Sequence, residues 1–574
     1  MFAPQSEANW NGRTESLEYN GSQVQYEVPH DVCTLSITTN EAVDVFMVKM
    51  NTGSAVIPKV STRYLVSASR AAEGRSAESL ELNDFASSGV TIDGLENVSG
   101  ISADGIIRRD YAPARDFVPP VLGAAGGAGR SAVEGLSAVV AEPMKSVTSS
   151  NLAVGETKEL WVDLPKSGVG TYESKFVGTT YYTKRPATLQ AKGNDCYIWV
   201  LNSYFDDSSA SGSKISSEKA NALAKKFDEL CPLVREVFGT ESDKMIDTSG
   251  LVEISSGSDT GTKVNIVVYD IEGDYEPGQE SGTLGYFWAK DYYTAAAAAE
   301  SGDATIGLTN CGKYFYVDSY FLNEAPEMLY STLAHEFQHM INFGQKYMNN
   351  RVSSQTWSNE MMSMVCEDMV QDFLKVSEEA SPISRLPYFC LGYYRSGLTD
   401  WLSDANVAYS YAGAYAFGAY LARNYGGKEL ITQIATNKYV DQEAITQALK
   451  SIGNETFDSV FKKYAQALVL DNAPSKANAP SFNKSVPGIG EGKMMKAIDI
   501  FNVQSQDELG QPPKVRPGLM NTDANSRVDL RPYGFTLHSI GYTDSAGEIQ
   551  LTFSSPVEDK EKVYILVQPC NHNH

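Results

Sequence analysis

His335-Glu336-Phe337-Gln338-His339 sets two imidazoles four residues apart, with a carboxylate directly after the first. On an α-helix, positions i and i+4 share a face, so both rings can reach one ion while Glu336 projects toward a water held on it. This HExxH spacing suits zinc-assisted hydrolysis, in which the water becomes a nucleophile near neutral pH and the metal polarises a carbonyl. Glu336 is the candidate general base, taking the water's proton and passing it to the leaving amine. The bland alternative is a helix with two satisfied core histidines. Scarcity counts against it, because the chain has 6 histidines and none lies between 340 and 537.

A third protein ligand has to come from elsewhere. A metzincin would place a glycine and a histidine where this chain has Asn342 and Gln345, so that class is excluded. With no later histidine in reach, a carboxylate on a following helix is expected. Trp357-Ser358-Asn359-Glu360-Met361-Met362-Ser363 supplies Glu360, 21 positions after His339. Glu367, two turns further along the same face, is either an acceptor that orients a ligand histidine or the third ligand itself. Asp368 and Asp372 are weaker alternatives, more in keeping with exposed helical acids.

The elements that must hold these residues are legible around them. Asn323 and Pro326 supply a helix start, Glu327 suits the first turn, and Gly344 is expected to stop the helix. Met328, Thr332, His335 and His339 fall on one stripe, so the ligand face is expected to be the buried face. Strand-like Lys158–Val162, Cys196–Leu201 and Val264–Asp270 precede it. A helix after Ser216-Ser217 carries Ala220, Leu223, Phe227 and Leu230 on one face. More helices are expected through Tyr411–Asn424, Gln442–Ser451 and Phe457–Leu468, giving an α+β catalytic unit.

The run Ser331–Phe343 with Asn359-Glu360 downstream resembles the hyicolysin-type neutral metallopeptidases, a branch of the thermolysin-like gluzincins. Val264–Asp270, Gly285-Tyr286-Phe287, Phe315–Asp318 and Tyr411–Phe417 are similar too, so the likeness spans roughly 155 to 470. It departs at Met364, where thermolysin-like enzymes carry an aspartate. The resemblance implies a Zn2+ cofactor, protein or peptide substrates, and a tyrosine hydroxyl stabilising the oxyanion. Tyr411 fits that pattern best, with Tyr409 and Tyr415 as alternatives. It also implies that an edge strand around Tyr314–Val317 pairs with extended substrate.

Length and composition set the frame. A chain of 574 residues is expected to form several domains, here 1–66 as a small β-rich unit, 67–150 as an Ala/Gly/Ser-rich linker or propeptide-like segment, 151–474 as the catalytic domain and 475–574 as a β-sandwich-like module. Gly123–Gly129 lacks the spacing of a phosphate loop. The net charge of −24 argues against nucleic acid or an anionic membrane as partner. No run is long and apolar enough to span a bilayer, and a secreted or cell-envelope protein with its leader removed is expected. The 7 cysteines show no disulfide-framework spacing, and Cys366 reads as a buried thiol. The acidic loop Asp270–Glu276 fails the calcium-binding EF-hand pattern, which needs glycine at Tyr275, and is expected to be solvated. His572 and His574 read as tail residues. A catalytically inactive peptidase-like binding protein and a metal-dependent hydrolase of another bond type are the competing functions.

Overall fold

In the computed structural model, residues 12–21, 24–58, 65–71, 80–81, 147–149, 152–164, 172–178, 180–256, 263–279, 282–402, 406–470, 481–504, 514–521, 529–553 and 560–570 are described. Most of segment 67–150, including Gly123–Gly129, lies outside them, as do His572 and His574. The protein is mixed helix and sheet, as expected for the α+β class.

The part of the chain that carries the histidine pair is built on a seven-stranded sheet. Its strands are β1 (Thr157–Val162), β2 (Ser174–Val177), β3 (Thr180–Lys192), β4 (Cys196–Leu201), β5 (Val264–Tyr269), β6 (Gly285–Phe287) and β7 (Tyr314–Asp318), in the order β6-β7-β5-β4-β3-β1, with β2 pairing β3. The β4, β5 and β7 strands run parallel. They read as near-continuous apolar runs because both faces are covered. Helix α1 (Ser217–Phe238) begins as expected, with Ser216 Oγ accepting from Lys219 N–H, and buries Ala220, Leu223, Phe227 and Leu230. Phe227 meets Phe315 of the sheet and Phe337 of the histidine helix, with centroids 5.9 and 5.0 Å away.

Expected and observed edges differ. Tyr314–Asp318 is an interior strand flanked by β5 and β6, and β6 is the sheet edge. It pairs antiparallel with β7 over Gly285↔Val317, Tyr286↔Tyr316 and Phe287↔Phe315. Three residues are too few to show a period, so the sequence pattern passed over it as a strand.

The histidine helix α2 (Pro326–Asn342) follows a short helix, Ser319–Glu324. Pro326 opens α2 at its first turn, where a missing N–H costs nothing, and Glu327 stands in that turn. Gly344 does not stop the chain, which continues as a π-helix over Phe343–Met348. A Cβ at Gly344 would lie 2.8 Å from Ser242 N, so glycine is there to admit a neighbouring backbone. Helix α3 (Thr356–Leu374) packs along α2, and α4 (Val407–Asn424) along α3. The expected later helices are present as Asp441–Ile452 and Phe457–Ala467, with Lys428–Thr436 in addition.

The terminal segments expected as separate modules share both of their sheets. One sheet orders Arg13–Tyr19, Val32–Thr39, Gly547–Phe553, Leu65–Ala71 and Leu80–Glu81; the other orders Val24–Glu27, Glu561–Pro569, Val43–Asn51, Phe535–Tyr542 and Met520–Asn521. Each segment alternates correctly, but alternation carries no information about which distant strand completes the ladder. Residues 486–496, assigned from sequence to the C-terminal module, instead pack on α3: Ile489 N–H donates to Met369 O at 2.8 Å and Met494 N–H to Asp372 Oδ2 at 3.2 Å. The sandwich joins the helices through aromatic packing, with Tyr393 stacked on Phe535 at 5.3 Å and Phe461 5.8 Å from Phe535. None of the 7 cysteines is in a disulfide, and Cys366 is buried. Among the described residues, no helix is long and apolar enough to cross a membrane.

Candidate metal centre

Helices α2 and α3 lie side by side, and the ligand face of each is turned to the other. Helical periodicity places His335 and His339 on one stripe of α2, and Glu360 and Glu367 on one stripe of α3. His335, His339, Glu360 and Glu367 are all at most 1% exposed. One ligand atom from each of His335, His339 and Glu360 lies within 4.8 Å of the others. His335 Nε2 is 3.1 Å from Glu360 Oε2, and His339 Nε2 is 3.4 Å from Glu360 Oε1. Glu360 is thus brought to both rings.

Glu367 takes the other side of His335. The imidazole donates from Nδ1 to Glu367 Oε1 at 2.7 Å, and Ser331 Oγ donates to Glu367 Oε2 at 2.6 Å. A carboxylate only accepts, so Nδ1 carries a proton whether or not Nε2, which faces Glu360, carries a second one. His339 is held similarly, with Nδ1 3.0 Å from both Asn359 Oδ1 and Ser363 Oγ. Asn359 and Ser363 are four apart on α3 and flank Glu360. The sequence displayed them as N-E-x-x-S, yet only the glutamate carries a signal that stands alone. The weaker ligand alternatives stand elsewhere. Asp368 pairs with Arg423 Nη1 at 2.8 Å and accepts from Tyr415 Oη at 3.0 Å, while Asp372 lies by Lys493 and the Met494 amide.

Three buried atoms here have no hydrogen-bond partner: both carboxylate oxygens of Glu336 and Nε2 of His339. Leaving such atoms dry and unmatched is costly, and two imidazoles with one carboxylate are the donor set of a three-ligand zinc site. The residues therefore fit the ion. Burial pushes Glu336 up to about 7, with the two histidines pulling it down and Glu360 and Glu367 pushing it up. Burial pulls His335 down, but its bonds to Glu360 and Glu367 outweigh that and hold it up at about 10. Glu360 sits well below the usual carboxylate range: burial opposes this, and His339 and His335 overcome it.

The sheet edge reaches the same place. A Cβ on Gly285 of β6 would lie 2.7 Å from Thr332 Cγ2, 2.8 Å from Tyr316 O and 3.3 Å from Glu336 Cγ. Only glycine lets this strand lie so close to the helix bearing Glu336.

The family model for peptidase M30 matches residues 182–492, more than half of the chain, from within β3 through α4. The chain belongs to the peptidase M30 family. Among curated proteins it is similar to neutral metalloprotease ShpI of Staphylococcus hyicus, at 29% identity over 283 residues. That alignment takes in 46% of this chain and 53% of ShpI, so the chain spans about half the length of that relative. The family match begins inside β3 and ends within the stretch that packs on α3, so it extends beyond 474.

The tyrosines are placed differently from one another. Tyr411 is buried on α4, its ring 4.9 Å from Trp401 and 4.8 Å from the Arg385 guanidinium. Tyr415 gives its hydroxyl to Asp368, and Tyr409 lies 5.5 Å from Tyr388. The Asp270 loop is not wholly solvated: Asp270 is 5% exposed and Ile271 is buried, while Glu272, Asp274 and Glu276 are exposed.

Proposed function

We propose that this M30 chain is a zinc-dependent endopeptidase, with His335, His339 and Glu360 as metal ligands and Glu336 as general base. The observation that carries this is the convergence of three ligand atoms within 4.8 Å beside a buried carboxylate that has no other partner. Zinc bound there would supply an acidified water and a Lewis acid for the scissile carbonyl.

The rest is work for the chain's own groups. Glu336, raised toward neutrality by burial, takes the proton of the attacking water and delivers it to the departing amine. Glu367, Asn359 and Ser363 hold the imidazoles in one tautomer and orientation. Tyr411 is assigned the oxyanion as the tyrosine that best fits the pattern of the neutral metallopeptidases the chain resembles. Extended substrate adds to the outer side of β6, where its backbone passes Glu336. This mode recognises main chain at an interior stretch of peptide, which favours endopeptidase action on protein or peptide substrates. Export of the enzyme from the cell goes with this reading, on the strongly acidic balance of −24.

The test is zinc content and casein cleavage for wild type and Glu336→Gln. Zinc retained with cleavage lost supports the assignment. Cleavage by Glu336→Gln at the wild-type rate removes Glu336 from its role, and a wild type that binds zinc yet cleaves no peptide bond returns the site to another hydrolase or a binding protein.

A further inference from the structure

His335 and His339 have the same task in the reading above and unlike surroundings. His335 Nδ1 faces a carboxylate, which can only accept. His339 Nδ1 faces two neutral groups, Asn359 Oδ1 and Ser363 Oγ, each at 3.0 Å. A serine hydroxyl can accept or donate. If Ser363 donated to Nδ1, the ring proton would sit on Nε2, the nitrogen directed at Glu360, and that nitrogen could no longer ligate. Ser363 has one proton to give, and Gln338 Oε1 lies 2.6 Å from its Oγ. Gln338 is 1% exposed and Ser363 fully buried, so bulk water does not compete for that proton.

We propose that Gln338, one of the three residues between the histidines, is a positioning residue that fixes the tautomer of His339 through Ser363. By accepting the Ser363 proton it leaves Oγ able only to accept from His339 Nδ1–H, and Nε2 keeps its lone pair for the metal. The path is three side chains long and crosses from α2 to α3 and back. This inference rests on His339 being a zinc ligand.

The experiment is a zinc competition titration of the metal-free full chain against a chromophoric chelator, for wild type, Gln338→Leu, Ser363→Ala, the double variant and His339→Ala. Gln338→Leu frees the hydroxyl to donate to Nδ1 and lowers zinc affinity by on the order of tenfold. Ser363→Ala leaves Asn359 Oδ1 as acceptor and weakens binding by less, about threefold. The double variant has no hydroxyl left to misdirect, so its affinity returns to that of Ser363→Ala. A packing role alone would instead make the two losses add. Gln338→Met, which also lacks the acceptor, replaces Gln338→Leu if the latter does not fold. The inference is overturned if the double variant binds zinc no better than the position-338 single variant, or if that single variant stays within twofold of wild type. Wild-type affinity in His339→Ala is a different failure: it removes the ligand assignment itself.

Discussion

Glu367→Gln separates the acid proposed to bind from the acid proposed to orient. The substitution keeps the size of the side chain and leaves a neutral amide oxygen where Glu367 Oε1 accepts from His335 Nδ1 at 2.7 Å. Ser331, 2.6 Å from the other oxygen, still has a partner within reach. Alanine would be a poorer probe, since it strands a buried N–H and a buried hydroxyl at a cost of ~1–3 kcal/mol that has nothing to do with metal. Losing a charged partner of a ligand histidine typically weakens metal binding by about 10- to 100-fold. At free zinc 100 times the wild-type Kd, binding stabilises the native state by ~2.7 kcal/mol; the weakened variant retains between ~1.4 and ~0.4 kcal/mol. Chelator competition gives the Kd, and denaturation with and without zinc gives the stabilisation. Glu360→Gln, which removes a proposed ligand, should lose more in both measurements. If Glu367→Gln folds and binds zinc within twofold of wild type, the orienting role assigned to Glu367 is wrong; if it binds worse than Glu360→Gln, the two acids have been given each other's roles.

Three further outcomes are expected. Because Glu360 and Glu367 hold His335 at about 10, the metal-free site carries a proton at pH 7 that zinc must expel; affinity should fall as pH falls below about 10, with one proton released per zinc in calorimetry across buffers of different ionisation enthalpy, and no release refutes it. Tyr411→Phe should lower kcat by about 10²–10³ with zinc content unchanged, and an unchanged kcat passes the oxyanion role to another donor. Arg423→Met strips the buried Asp368 side chain of its guanidinium partner and should cost about 3–5 kcal/mol in urea denaturation, whereas a loss under ~1 kcal/mol would mean that Tyr415 alone satisfies the carboxylate.

Much of the centre was legible because its parts are periodic. His335 and His339 share a face on any helix, and with histidine absent downstream the spacing nominated Glu360, which lies within reach of both rings. Glu367 was legible only as one of two roles, since spacing places it on the right face but not at a particular nitrogen; the 2.7 Å contact to Nδ1 is what the proposed orienting role rests on. Ser363 and Gln338 gave no signal, because a serine or a glutamine on a helix is ordinary until the neighbouring helix is in place. Gly344 misled because close approach of a backbone and the end of a helix both select glycine. The β6 edge was short, and Asp270 was judged by the charges around it although it follows directly on a buried strand.

The shared terminal sandwich bears on how the molecule is made. Ser36 hydrogen-bonds Glu548, 512 positions later, and Val32–Thr39 lies between Arg13–Tyr19 and Gly547–Phe553. At about 5–20 residues per second of synthesis, a strand made first waits roughly 25–100 s before its neighbour exists. Through that interval Val32–Thr39 is a β-rich segment with an open ladder, able to pair with the same segment of another nascent chain. Removing residues 547–569 would leave that condition permanent, so such a truncation is expected to aggregate even though every proposed metal ligand and Glu336 remain in it.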